Sequence, residues 1–460
     1  MGKFFGTDGI RQKAEDFSPD FVAKIALGLV RYGEAQKKDG VLRVLLGGDT
    51  RESSEWIIRD FEKALAGLGA ECSNVEVLAT PGINYAFYAM GFDFAIDVTA
   101  SHNPYTDNGV KIFERGDKIG LNCGIKLSAE GVEEIEKSLT EENRQEEATM
   151  TGYSASLHDD GLESYMGHLR DYIGRVRPVG GEERKVDFAG LKIGMDCANG
   201  ATAVVAGKIF KEFGAEVVEI NTDASYGQKI NEKCGSTDLG EIKRLVKEKG
   251  LDFGVAFDGD GDRCLMVTSE GEEVDGDQII ALIADYLGLE AVVSTVMVNQ
   301  GLLTWAEKQG VKVEITDVGD QNVAKAMREK GILIGGEQSG HVILPKESMG
   351  DGMLTALLVA KIISEKKADL SDLVITKTPQ ALYSIEVTKE EKAAFIELRP
   401  EVKRVIEKYE KQLKEEGSRL LVRASGTQNM IRVSIWGNDA EKITAEAKLI
   451  AEKIKTAGRK

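Results

Sequence analysis

Apolar, strand-like runs that close on Gly, Asp or Asn and alternate with helix-like stretches constrain this chain more than any other feature. Four of them are "VLRVLLGGD" (41–49), "LKIGMDCANG" (191–200), "LDFGVAFDGDGD" (251–262) and "AVVSTVMVN" (291–299). Between such runs lie amphipathic segments. One is "EIKRLVKEKG" (241–250), with Ile242, Leu245 and Val246 on one helical face and a closing glycine. This alternation specifies an α/β architecture with mostly parallel pairing.

The chain has 460 residues, too many for one hydrophobic core. Blocks 41–140, 190–270 and 291–365 share a plan, and the polar stretches 140–156, 269–277 and 365–373 read as joints. After residue 375 the pattern changes: "LYSIEV" and "LLVRASGTQNMIRVSIWG" read as strands. A capped amphipathic helix follows, with Ile443, Ala447, Ile450 and Ile454 on one side. The expected fold is therefore three similar mixed-sheet α/β domains (1–154, 155–270, 271–374) and a smaller C-terminal α+β domain (375–460).

A formal charge of −18 argues against sequence-independent nucleic-acid binding, so an anionic ligand has to be caught locally by arginines and helix N-termini. No apolar run approaches the ~18 residues of a membrane span. The opening "MGKFFGTDGIRQ" lacks a basic-then-apolar leader. Five scattered cysteines (72, 123, 197, 234, 264) form no CxxC pair, which favours reduced thiols. A cytoplasmic protein with no membrane or nucleic-acid partner is expected.

Four polar loops carry chemistry. In "FDGDGDR" (257–263), Asp258, Asp260 and Asp262 alternate with glycines directly after an apolar strand. Carboxylates so close repel, a cation offsets them, and an all-oxygen set suits Mg²⁺ or Mn²⁺. The EF-hand spacing fails, since Arg263 and Ser269 stand where Gly and Glu are required. In "VTASHNPYTDNGVKIF" (98–113), Ser101 lacks a G-x-S-x-G elbow, and His102 is badly placed to act as its base. Taken alone, this stretch is as much a turn as a site. Near metal-binding aspartates, Ser101 has another role open to it: a phosphate carrier with roughly −1.5 to −2 charge. "GGEQSGH" (335–341) offers Glu337, Ser339 and His341 to hydroxyl groups, or else forms a hairpin turn. "RASGTQNMIR" (423–432) places Arg423, Ser425 and Thr427 as a phosphate cradle, or an ordinary turn. Two lesser signals are "FGTDGIR" (5–11), with Thr7, Asp8 and Arg11, and "GDTR" (48–51), with Thr50 and Arg51.

"FGTDGIR", "TASHNPYTDNGVKIF", "DGDGDR", "GGEQSGH" and "RASGT" stand in an order and spacing that resemble the α-D-phosphohexomutases over essentially the whole chain. "GTDGIR" and Gln338 look most like the branch acting on glucosamine phosphates. The resemblance implies four domains around a central cleft and a phosphorylated Ser101, with Asp258, Asp260 and Asp262 holding one Mg²⁺ against it. It implies that Glu337 and Ser339 contact sugar hydroxyls and that Arg423, Ser425 and Thr427 grip the non-reacting phosphate. Lys111 and His341 become proton-transfer candidates, and Arg11 and Arg263 steady the transferring phosphoryl. The implied reaction interconverts glucosamine 6-phosphate and glucosamine 1-phosphate through a phosphoserine enzyme and a 1,6-bisphosphate. Phosphorylation of Ser101 by glucose or glucosamine 1,6-bisphosphate would activate a monomer or homodimer. Departures fall at Gln12, Gln321 and Gln428-Asn429, where relatives carry Gly, Arg and Glu-Pro, and they bear on substrate preference. The competing readings are a phosphomannomutase/phosphoglucomutase, a sugar-bisphosphate synthase or phosphatase, and a non-catalytic sugar-phosphate sensor.

Overall fold

The computed structural model describes residues 3–6, 8–37, 40–119, 123–141, 154–182, 185–424 and 429–459. Two units are described separately: residues 1–293 with 316–374, and residues 294–315 with 375–460.

In the first unit the apolar runs become buried strands. Arg43–Gly48 lies between Glu71–Val77 and Phe94–Val98 and is parallel to both. The chain then reverses, and Asp107–Arg115 returns antiparallel to Phe94–Val98, pairing Asp97 with Lys111. Gly9–Lys13 continues the sheet antiparallel to Asp107–Arg115. The sheet is mixed, as the expected fold class has it, and less parallel than the alternation alone suggests, because the short polar loop at 99–106 permits a hairpin but no helical crossover. Helices Pro19–Gln36, Glu52–Gly67 and Thr80–Ala89 flank it, and Val22, Ile25, Leu29, Ile57 and Phe61 join Val44, Leu46 and Ile96 in one core. Ser154–Ser156 pairs in parallel with Glu71–Val77, and so belongs to this first sheet.

A second sheet is ordered Glu216–Ile220, Lys192–Asp196, Phe253–Phe257, Cys264–Thr268, Glu273–Val274. The helix expected at 241–250 runs Gly240–Lys249, buries Ile242 and Val246 and closes on the left-handed Gly250. The polar stretch 269–277, expected as a joint, carries Glu273–Val274, which turns back to pair with Cys264–Thr268, and Asp275 then caps helix Gly276–Leu287. Farther on, Gly335–Gly336 pairs antiparallel with Val342–Ile343, so "EQS" is the tip of a hairpin.

In the second unit Met430–Trp436 lies antiparallel between Gln380–Glu386 and Arg419–Ala424. Helix Ala440–Gly458 covers that sheet, with Ile443, Ala447, Ile450 and Ile454 buried as the periodicity predicts. No helix among the described residues is long and apolar enough to cross a membrane.

Candidate active site

The site grows from the ends of two buried strands of the first unit. Phe253–Phe257 delivers the aspartate loop, and Phe94–Val98 delivers the serine loop. Asp258, Asp260 and Asp262 are all buried, and their ligand oxygens lie within 4.8 Å of one another. The glycines between them are required. A Cβ on Gly259 would sit 2.8 Å from the Ser101 carbonyl oxygen, so only glycine lets the two loops touch.

Ser101 is fully buried, and its hydroxyl donates to Asp258 Oδ2 at 2.8 Å. Its backbone φ is +53°, a left-handed conformation that costs a non-glycine residue roughly 1–2 kcal/mol. His102 faces Ser101 Oγ at only 3.4 Å, while the Arg263 guanidinium approaches the same Nδ1 at 3.0 Å. Burial, with Arg263 and Arg11 beside it, holds the His102 pKa down to about 4. His102 is therefore a neutral ring that accepts from Arg263, a supporting residue rather than a base.

Lys111 crosses from the neighbouring strand and donates to Asp260 Oδ2 at 2.8 Å and Asp262 Oδ2 at 3.0 Å, with Asp8 Oδ2 at 3.4 Å. Burial opposes its charge, but the three carboxylates outweigh burial and raise its pKa well above the ordinary lysine value. The same charge, with His341, overcomes the effect of burial on Asp262 and holds that carboxyl well below its usual range. On Asp258, burial and its two sister carboxylates outweigh Arg263 and the Ser101 hydroxyl and push the carboxyl well upward. His341 is buried, with Nδ1 3.6 Å from Asp262 Oδ1, and its Nε2 accepts the Gly350 N–H at 2.9 Å. Burial lowers its proton affinity, yet Asp262 and Asp320 raise it further.

Asp260 Oδ1 and Asp262 Oδ1 are buried without a hydrogen-bond partner among the described residues. His341 and Arg263 approach Asp262 Oδ1 only to 3.6 and 3.7 Å, beyond hydrogen-bond length. Free buried oxygens on an all-oxygen cluster fit a hard divalent cation such as Mg²⁺.

The remaining expected residues are distributed as follows. Arg11 donates to Asp8 at 2.5 Å. Glu337 accepts the Gly319 N–H at 3.0 Å, and Ser339 is exposed at the hairpin tip. Arg423 lies on strand Arg419–Ala424 of the second unit, opposite Arg432. Ser425 and Thr427 lie outside the described residues. Sequence reasoning missed a second tier. Lys126 joins Asp8 at 2.5 Å to Asp320, and the Thr80 hydroxyl lies 2.5 Å from Asp97 Oδ2 and 3.0 Å from Asp260 Oδ2. Asp97 was detectable as a lone acid inside the apolar "FAIDV"; Lys126 carries no local signal.

Four domains of one family match the chain in order. They are phosphoglucomutase/phosphomannomutase alpha/beta/alpha domains I, II and III, at residues 2–146, 165–271 and 275–380, and the C-terminal domain at 382–453. The chain belongs to this family. Among curated phosphohexomutases it is 38% identical to phosphoglucosamine mutase of Caldicellulosiruptor bescii, over 99% of both chains. It is 36% identical to the Staphylococcus aureus phosphoglucosamine mutase, over 98% of both. A Burkholderia thailandensis phosphoglucomutase/phosphomannomutase family structure shares the fold with TM-score 0.74 at 21% identity, covering 98% of this chain and 97% of that one. An Aspergillus fumigatus N-acetylphosphoglucosamine mutase, solved with GlcNAc-6P and magnesium, aligns with TM-score 0.62 at 17% identity, over 100% and 96% of the chains.

Proposed function

We propose that the protein interconverts glucosamine 6-phosphate and glucosamine 1-phosphate in the cytoplasm, through a phosphorylated Ser101. The observation that carries this reading is the buried Ser101 hydroxyl, 2.8 Å from one of three clustered carboxylates. The similarity to phosphoglucosamine mutases over nearly the whole chain supports the choice of sugar.

In the first half-reaction the free hydroxyl of the hexosamine phosphate attacks the phosphorus on Ser101. The Ser101 O–P bond breaks, a sugar O–P bond forms, and the product is a 1,6-bisphosphate. That intermediate turns and returns its other phosphoryl to Ser101. Mg²⁺ held by Asp258, Asp260, Asp262 and the Ser101 phosphate would offset the charge that develops in transfer. Lys111, locked in its charged form, and the guanidinium groups of Arg11 and Arg263 add fixed positive charge beside it. His341 takes the hydroxyl proton at Nε2, and the Gly350 N–H contact yields when it does so. Glu337 and Ser339 orient sugar hydroxyls, while Arg423, Ser425 and Thr427 hold the distal phosphate.

Purified protein assayed with Mg²⁺ and catalytic glucose 1,6-bisphosphate on glucosamine, glucose and mannose phosphates tests the substrate. Fastest turnover of the glucosamine phosphate is expected. A higher kcat/KM on the glucose or mannose substrate would overturn the assignment, and accumulating bisphosphate or free phosphate would indicate a synthase or phosphatase.

A further inference from the structure

The motif "GDTR" is not absorbed by the chemistry above, yet its arginine is one of the largest fully buried side chains in the protein. Arg51 is ion-paired with the equally buried Asp49, and its Nη2 donates to two carbonyl oxygens, Ser101 O at 3.0 Å and Asn103 O at 2.5 Å. Asn231, from the second sheet's side of the unit, grips the same two oxygens. Its Nδ2 donates to Ser101 O at 2.9 Å and to Asn103 O at 3.1 Å. Asp49 completes the circuit by accepting the Thr99 hydroxyl at 2.5 Å, and Thr99 Oγ1 in turn accepts the Ser101 N–H at 2.9 Å. The turn itself is stapled to the second sheet's loops. Gly227 exchanges backbone hydrogen bonds with Thr50 and Glu52, and the Thr50 hydroxyl donates to Asn199 O at 2.5 Å.

These bonds converge on a serine whose backbone resists its place. Ser101 is held at φ +53°, and a strained conformation persists only where the surroundings over-determine it. We propose that Arg51 and Asn231 form a two-sided clamp that holds Ser101 in its left-handed conformation and so aims Oγ at Asp258. Both are positioning residues, acting through the 101 and 103 carbonyls. Charge alone is not enough for the role, because a guanidinium fork bridges several acceptors where an ammonium offers one point. The inference rests on Ser101 being the phosphoryl carrier. It adds that aim of the hydroxyl, and not only metal and charge, sets the rate.

The test uses Arg51→Lys, which keeps the charge opposite Asp49, and Asn231→Gly, which removes the amide while tolerating the φ of +58° at that position. Each is expected to lower kcat at least about tenfold with KM for the sugar phosphate within about twofold, and the double variant is expected to lose less than the product of the two. Amide exchange across 99–104 should quicken in both. A kcat within about twofold of wild type, whatever the melting temperature, would overturn the clamp, as would unchanged exchange across 99–104. Should wild type take no phosphate on Ser101, the functional reading fails, and the exchange measurement alone then decides the clamp.

Discussion

At the scale of single residues, burial and pairing decide which charges work. Lys111 is the clearest case: buried among Asp8, Asp260 and Asp262, it cannot be removed without stranding three carboxylates. Lys111→Met should destabilise the protein by about 3–5 kcal/mol in urea unfolding, and added Mg²⁺ should restore part of the loss. An unchanged unfolding midpoint would contradict the pairing. Asp351 offers a second test, on a carboxyl outside the aspartate trio. It accepts the Tyr165 hydroxyl on both oxygens, at 2.9 and 3.0 Å, and caps helix Gly352–Lys366 through the Leu354 N–H. Burial pushes its carboxyl up to about 7, although the Leu354 N–H pulls the other way. A raised acid favours the folded state while protonated, so its stabilisation is complete below about pH 4, the unfolded value, and is lost as pH rises toward 7. Relative to wild type, Asp351→Asn should therefore gain stability across that window, by at most about 1.4 kcal/mol per pH unit. Parallel stability curves from pH 4 to 7 would contradict this.

At the scale of elements, the sequence announces what local chemistry controls and hides what only pairing creates. Strands ending in Gly or Asp and the helix at 240–249 were legible because apolar runs and a glycine stop need no tertiary context. The polarity of 269–277 reads as a joint and gives no sign of Glu273–Val274, which pairs with the preceding strand. The serine and aspartate loops were legible from scarce residue types at tight spacing. Lys126, Asp320, Asn231 and the work done by Arg51 were not, because each acquires its partner only when distant loops meet. Asp275 shows how an element braces the site. It forms a capping box with Gln278 at the start of Gly276–Leu287, and it also accepts the Gln338 amide at 3.2 Å. Asp275→Ala should cost about 1 kcal/mol of stability in denaturant unfolding. A cost near zero would show that the cap is redundant.

At the scale of the whole molecule, all five cysteines are buried and none is in a disulfide. Burial raises the thiols of Cys123 and Cys234 to about 11 and about 12. A thiol reagent should thus find none fast in the native protein and all five after unfolding; a rapidly titrating native thiol would contradict the core assignment. The larger claim is that the apolar alternation builds a scaffold whose strand ends bring one serine against three carboxylates for phosphoryl storage. The measurement that reaches it most directly is intact mass with peptide mapping after incubation with glucose 1,6-bisphosphate and Mg²⁺. One phosphate on Ser101, absent from Ser101→Ala together with mutase activity, is the expected result. An unphosphorylated Ser101 in turning-over enzyme, or a Ser101→Ala variant that still interconverts the sugar phosphates, would contradict it.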